Sequence, residues 1–495
     1  MTYTPSLMPL AAILISMLGT IPIMLSDRRP NLRESCTLLI AVGKFLLIAS
    51  MLPSVLAGGG FTWTLLEVIP GVPIALRVDP MGMYFALVAS FLWICTSVYS
   101  IGYMRELKEH AQTRYFASFA LAISATIGVA FSANLLTLYL FYEVLSLSTY
   151  PLVTHNQNAE ARKSGRKYLT YLLGSSIAFA LPAIVITYTL AGTLDFTPGG
   201  ILAGSGASPQ LLALLLVLFL YGFAKAGLMP FHGWLPAAMV APTPVSSFLH
   251  GVAVVKVGVF SILRVIFDIF GPAFLLEINL GVIITSIAAI TMLTASLIAL
   301  TQDNLKRRLA YSTIGQLSYI ILGAGMLSAS GMTGGLLHIA MHAFGKITLF
   351  LCAGAIYIVC HKKFISEMDG LGRQMPITYL AFFIGSLSII GMPPLGGFIS
   401  KWSLLVGAIE AEQMLLVVIL LTSSLLNAAY FFPIVYRGFF AQPQNGTVIT
   451  GIKEAPLFCL IPLVTTALCS LALFFYPDIF LQLAQMALFP DKPLI

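Results

Sequence analysis

The chain has 495 residues, of which 58% are hydrophobic and only 9% charged, where soluble domains carry roughly 25% charge. This composition excludes a soluble globular protein and describes an all-α polytopic membrane protein. The formal net charge of +7 would suit an anionic partner, but its placement along the chain argues for membrane topology and against nucleic acid.

At roughly 20 apolar residues per helix, the sequence accommodates about 14 transmembrane spans. Their cores lie near 5–25, 35–57, 79–103, 113–131, 134–154, 166–192, 209–239, 243–268, 276–300, 307–326, 331–360, 376–408, 412–440 and 456–483. They are numbered spans 1 to 14 here, and loop n follows span n. Basic residues concentrate in the odd loops. Arg28, Arg29 and Arg33 fall in loop 1, and Arg105, Lys108 and Arg114 in loop 3. Arg162, Lys163, Arg166 and Lys167 flank loop 5. Lys306, Arg307 and Arg308 follow in loop 9, Lys362, Lys363 and Arg373 in loop 11, and Arg437 and Lys453 in loop 13. Loop 7 is the exception, and the even loops hold almost nothing basic beyond Arg77. The positive-inside rule then places the odd loops in the cytoplasm and both termini outside, in a plasma or inner membrane. Six scattered cysteines without a CxxC pair give no reason to expect a metal cluster or disulfide framework. The first apolar run lacks a basic n-region and a cleavage site, so it is expected to be a retained span.

Spans 1–3 carry little chemistry. Lys44 in span 2 is expected to snorkel to an interface or meet a neighbouring subunit. Residues 58–78, with Gly58-Gly59-Gly60, Pro70 and Pro73, predict an external hairpin or turn region, and Trp63 and Tyr84 are candidate interfacial anchors. Span 5 holds Glu143, the one acid of 19 placed near a span centre. It is either a protonated acid hydrogen-bonded between helices or a carboxylate paired with an intramembrane lysine. Five lysines lie inside spans, so a partner is available. In a low dielectric such a pair has mutually dependent protonation, a usable transport step.

The stretch Tyr221–Leu263 carries Lys225, His232, His250 and Lys256, with four prolines between the two lysines. Charges inside a membrane usually face a cavity or a partner, and proline-broken helices are what ion sites are built from. Span 7 is expected to break near Leu228–Phe231 and to resume as a second half-helix through HGWLPAAM. Span 8 follows as a helix in which His250 and Lys256, six residues apart, face different ways. Span 10 introduces Tyr311, Ser312, Thr313, Gln316 and Ser318, groups that hold water or tie helices together. In span 11, His338, His342 and Lys346 repeat at i, i+4, i+8 and line one face. The two histidines have ligand spacing, but no carboxylate joins them as in HExxH. A proton path is the better reading, since imidazole both accepts and donates near neutral pH. Span 12 is broken by Pro393-Pro394 and Gly396-Gly397, with Lys401 just beyond. Spans 7 and 12 thus echo each other from opposite sides, as inverted repeats of spans 4–8 and 9–13 would.

The segments FYEVLSLSTY, LMPFHGWLPAAMVAPTPVSSFLHG, DNLKRRLAYSTIGQLSY, HIAMHAFGKITLFL and GMPPLGGFISKW together resemble one family. It comprises the antiporter-like subunits of Mrp-type Na+/H+ antiporters, respiratory complex I and membrane-bound hydrogenases. The resemblance implies 14 helices, two inverted five-helix repeats and discontinuous helices 7 and 12. It divides the chain into 1–110 (helices 1–3), 111–270 (helices 4–8), 271–440 (helices 9–13) and 441–495 (helix 14). It also implies a proton path in which Glu143 pairs with Lys225. Lys256, with His250 beside it, connects the halves, His338 and His342 continue the link, and Lys401 is the exit. Lysine at 401 disfavours the complex I subunit type that carries glutamate there. The chain ends soon after span 14, which points to the mid-sized, D-type subunit of Mrp antiporters or its hydrogenase and complex I-like counterparts. The expected partners are other membrane subunits, protons, possible Na+ or K+, and the lipid bilayer. No cofactor is expected, because no nucleotide, flavin or cluster motif is visible, and no carboxylate cage for Na+ stands out.

Overall fold

The computed structural model describes residues 1–442 and 451–490. Residues 443–450 and 491–495, within the expected unit 441–495, lie outside the described residues.

Ten helices among the described residues are long and apolar enough to cross a membrane. They are Met8–Leu25, Pro30–Leu56, Pro80–Glu106, Gln112–Ala130, Leu135–Val153, Ala159–Ala191, Gly281–Thr301, Ala329–Cys360, Met414–Phe440 and Leu457–Phe475. These are spans 1–6, 9, 11, 13 and 14. The remaining four are the chemically interesting ones. Span 10, Leu305–Gly325, is unbroken but opens on Lys306, Arg307 and Arg308 and carries hydroxyls and an amide. Spans 7, 8 and 12 are interrupted.

Span 7 runs as a helix over Pro209–Gly222, followed by a short 3-10 turn, Ala224–Ala226, that carries Lys225. Regular structure resumes only at Trp234–Ala237 and Ala238–Val240. The break therefore starts earlier than Leu228, places Lys225 inside it, and leaves single turns in place of the expected half-helix. Pro230, Pro236 and Pro242 each lack the backbone donor that would propagate a helix. Gly227, at φ +73°, takes the left-handed conformation that closes the Lys225 turn. The Trp234 indole donates to Ala224 O (3.0 Å) and pins the turn.

Span 8, expected to be continuous, divides into Thr243–Gly251 and Val254–Arg264. The amides of Val252 and Ala253 both donate to Phe248 O, at 3.0 and 2.9 Å. Its second half lies hard against the Lys225 turn: a Cβ on Gly258 would sit 2.1 Å from Ala226 N. Span 12 divides as expected, into Pro376–Ile390 and Gly396–Glu410. There a Cβ on Gly397 would lie 1.8 Å from Ser388 O, so the second half seats directly on the first.

The loops sort onto two faces. On the odd-loop face, Leu305 N donates to Lys363 O (3.0 Å) and Lys306 Nζ to Ala241 O (2.6 Å). On the even-loop face, Asn134 bridges Asp195 and Thr197 N donates to Asp268 O (3.3 Å). A three-stranded sheet also covers the even-loop face. It is built from β1 (Thr2–Pro5), β2 (Gly59–Ile69) and β3 (Val72–Val78). β2 and β3 form the expected hairpin, and β1 adds to β2 in parallel. Tyr84 is not an interfacial anchor, being fully buried with its hydroxyl donating to Leu337 O (3.1 Å). Lys44 does not snorkel either. It is fully buried, its ammonium has no hydrogen-bond partner among the described residues, and it lies 5.9 Å from the Trp93 ring centroid.

Candidate proton-path site

Lys225 leaves its turn toward span 5. Its ammonium donates to Tyr142 O (2.8 Å) and Ser146 Oγ (2.7 Å) and sits over the Tyr142 ring. Glu143 does not join it. Among the described residues Glu143 has no ion pair, and neither carboxylate oxygen has a hydrogen-bond partner. The nearby Ser176 hydroxyl donates instead to Leu173 O (3.0 Å). In this conformation the two groups make no direct ion pair, although each lies within electrostatic reach of the other. Tyr142 and Ser146 share one helix face at i, i+4, and Glu143 is turned about 100° away from Tyr142.

His250 is fully buried beside the Phe350 ring (5.2 Å), and among the described residues neither of its ring nitrogens has a hydrogen-bond partner. Lys256, at the start of the second half of span 8, points toward span 11 and hydrogen-bonds His342 Nδ1. The break in span 8 therefore separates two side chains that a straight helix would also have kept apart. The ring of His342 stacks near that of His338, with centroids 5.8 Å apart and planes 16° off parallel. His338 Nδ1 is hydrogen-bonded to Ser400 Oγ (2.8 Å) and Nε2 to Gln316 Oε1 (3.0 Å).

From Gln316 the row continues through Asn427 of span 13. With the Asn427 amide turned to satisfy its neighbours, its oxygen accepts from Gln316 Nε2 (2.9 Å) and Lys401 Nζ (3.1 Å). Lys401 also donates to Ile390 O and Ser424 Oγ, each at 3.2 Å, and lies over the Tyr319 ring. Lys346, third in the span 11 stripe, donates to Ser312 Oγ (2.8 Å). The Tyr430 hydroxyl donates to the same oxygen (2.9 Å) and is hydrogen-bonded to Asn427. Lys256, His342, His338 and Lys401 are thus brought into one row, whereas Lys225, Glu143 and His250 stand outside it.

Asn427 and Tyr430 are absent from the residues that spacing singles out, though an amide in the middle of span 13, just after Ser423 and Ser424, is a signal. A second unanticipated cluster lies at the even-loop end of span 8. There the buried Arg264 contacts Asp79 (2.7 Å) and Asp268 (2.9 Å). In the sequence these three residues stand only at span ends, with nothing to show that they meet. On the odd-loop face a cavity of about 830 Å³ reaches the span 7 break, lined among others by Lys167, Pro230, His232, Lys306 and Tyr311.

Residues 132–427, more than half of the chain, match the family described as NADH:quinone oxidoreductase/Mrp antiporter, TM. The chain belongs to this family. Residues 70–116 match a second family, described as NADH-Ubiquinone oxidoreductase (complex I), chain 5 N-terminus. NADH-quinone oxidoreductase subunit N of Desulforudis audaxviator is 32% identical over 405 residues, 79% of this chain and 80% of that one. The putative antiporter subunit mnhA2 of Staphylococcus haemolyticus is 29% identical over 473 residues, 90% of this chain but 58% of that one. Several further relatives are likewise spanned over only half to two thirds of their length. A chain of the Mrp complex from Dietzia sp. DQ12-45-1b has the same fold, with a TM-score of 0.84 at 21% identity and 98% of each chain covered. Membership in this NADH:quinone oxidoreductase/Mrp antiporter family agrees with the resemblance carried by the sequence motifs, and the protein is a multi-pass membrane protein.

Proposed function

We propose that this chain is the proton-translocating, antiporter-like subunit of a multisubunit Mrp-type monovalent cation (Na+)/H+ antiporter. One observation carries the reading: a row of ionisable and amide groups runs through the buried interior from Lys256–His342 past His338, Gln316 and Asn427 to Lys401. Burying ammonium groups in hydrocarbon is costly unless they serve a path or find partners. Imidazoles between them relay protons by accepting on one nitrogen and donating from the other.

Protons enter at Glu143 and Lys225, cross by Lys256 and the histidines, and leave by Lys401. The cavity at the span 7 break gives water access to the first half. Partner membrane subunits handle the Na+ or K+. The odd loops face the cytoplasm, both termini lie outside, and spans 4–8 and 9–13 act as inverted repeats, each contributing half of the path. A second reading places the same path in a redox-driven pump. It is favoured by the even coverage, about four fifths of both chains, shared with the oxidoreductase subunit N.

Affinity purification of the tagged chain from native membranes, with partners identified by mass spectrometry, separates the two. Small hydrophobic antiporter subunits without redox proteins support the antiporter, and iron–sulfur or hydrogenase subunits replace it with the pump. Loss of Na+-dependent proton movement in vesicles carrying Lys256→Ala tests the path itself under the first outcome. Wild-type rates in that variant overturn it.

A further inference from the structure

Away from the buried row, two odd-loop turns bring together a carboxylate and two imidazoles. Glu109 and His110 follow span 3 in a tight turn flanked by left-handed residues, Lys108 (φ +50°) and Ala111 (φ +49°). Glu109 N donates to Met104 O (3.0 Å), and the Gln112 amide donates to Glu109 O (3.1 Å), so the turn is fixed at both ends. His155 follows span 5. Its amide donates to Leu152 O (3.3 Å), and its carbonyl accepts from Arg114 (3.0 Å).

Glu109 Oε2 lies 3.7 Å from His155 Nε2 and 3.9 Å from His110 Nδ1. The two imidazole centroids are 4.7 Å apart, and one donor atom from each of the three residues lies within 4.8 Å of the others. His155 is 0% exposed, yet among the described residues neither of its ring nitrogens has a hydrogen-bond partner. Buried polar atoms ordinarily find one. The 3.7 Å separation from Glu109 is too long for a hydrogen bond but close to what a shared ion requires. Ligand atoms at about 2.0–2.2 Å from a tetrahedral zinc ion stand about 3.4 Å apart. Small side-chain rotations on fixed turns close the difference. His110 is half exposed and Glu109 borders the cavity, which leaves room for water in the fourth position.

We propose that Glu109, His110 and His155 bind one divalent transition-metal ion and that the ion ties loop 3 to loop 5 at the rim of the odd-loop cavity. Two imidazoles with one carboxylate select zinc or a neighbouring transition metal over Ca2+ or Mg2+, which take oxygen ligands. The inference is independent of whether the assembled complex is an antiporter or a redox-driven pump.

The test uses the purified intact complex, stripped with EDTA and equilibrated with ZnCl2 at buffered free concentrations, with bound zinc counted by mass spectrometry. Wild type is expected to hold one more equivalent per complex than His155→Ala or His110→Ala, with zinc affinity at this site at least tenfold weaker in both. Zinc held by partner subunits cancels in the difference. His110→Ala alters an exposed loop side chain and keeps the comparison valid if His155→Ala fails to assemble. Equal zinc content and affinity in wild type and His110→Ala overturn the proposal, leaving the cluster a histidine–glutamate contact only.

Discussion

His342 holds Lys256 through Nδ1 while its Nε2 has no hydrogen-bond partner among the described residues. Such an imidazole can take a proton on one side and release it on the other. His342→Ala removes both functions and is expected to lower proton uptake by vesicles at least tenfold, with the complex still intact on gel filtration. Lys225→Ala and Glu143→Ala are each expected to abolish transport without blocking assembly. Wild-type-like proton movement in either would remove the entry side of the path. Arg264 makes a different, structural case. It is buried against two carboxylates, so neutralising one leaves the other to balance it, and the cost stays below the ~3–5 kcal/mol of a fully orphaned buried charge. Asp79→Asn should therefore lower the thermal midpoint of the detergent-solubilised protein by several degrees. The buried cations are legible in the sequence because a lysine within an apolar run has few bland explanations. Their partners are less so. Lys225 engages Tyr142 and Ser146 rather than Glu143 because helix phase, not sequence proximity, decides which side chain meets it.

At the scale of the element, proline announces two of the three interruptions. Span 12 breaks where Pro393 and Pro394 predict, and span 7 breaks more extensively because Pro230, Pro236 and Pro242 leave no length over which a helix regains its hydrogen bonds. The division of span 8 contains no proline. It lies beside Gly251, where an added Cβ would meet Ile347, and about five residues before the approach of Gly258 to the Lys225 turn, and contacts between distant segments are invisible in local spacing. Gly258→Val and Gly397→Val are expected to force these backbones apart, and the measurement is transport alongside thermal stability. Both should fall, with Gly258→Val disturbing Lys225 and Gly397→Val disturbing Lys401. Unchanged transport in Gly258→Val would mean that the fit of span 8 against span 7 is irrelevant to the path. The hairpin at 59–78 is readable from its glycines and prolines. The pairing of Thr2–Pro5 with Gly59–Thr62 joins segments far apart in the chain and is not.

Over the whole molecule, the alternation of basic loops is the most informative signal. The structure gathers odd loops on one face and even loops on the other, as charge counting alone suggests. Lys163→Cys in loop 5 and Gly204→Cys in loop 6 are expected to react with a membrane-impermeant maleimide from opposite sides, the first only from the cytoplasm. Labelling of both from one side would invalidate the assigned orientation. The native cysteines are buried or half-buried, which limits background. Span 11 is longer than the bilayer is thick. Its helix of 32 residues is about 48 Å long, while a bilayer's hydrocarbon core is about 30 Å thick. Even at a steep tilt of about 40° its ends extend past that core, and His338, His342 and Lys346 sit near its middle. Lipids with acyl chains a few carbons longer or shorter would thus shift the water boundary along the helix ends and leave the histidine row in hydrocarbon. In reconstituted membranes of graded thickness, the protein should be comparatively tolerant of its lipid.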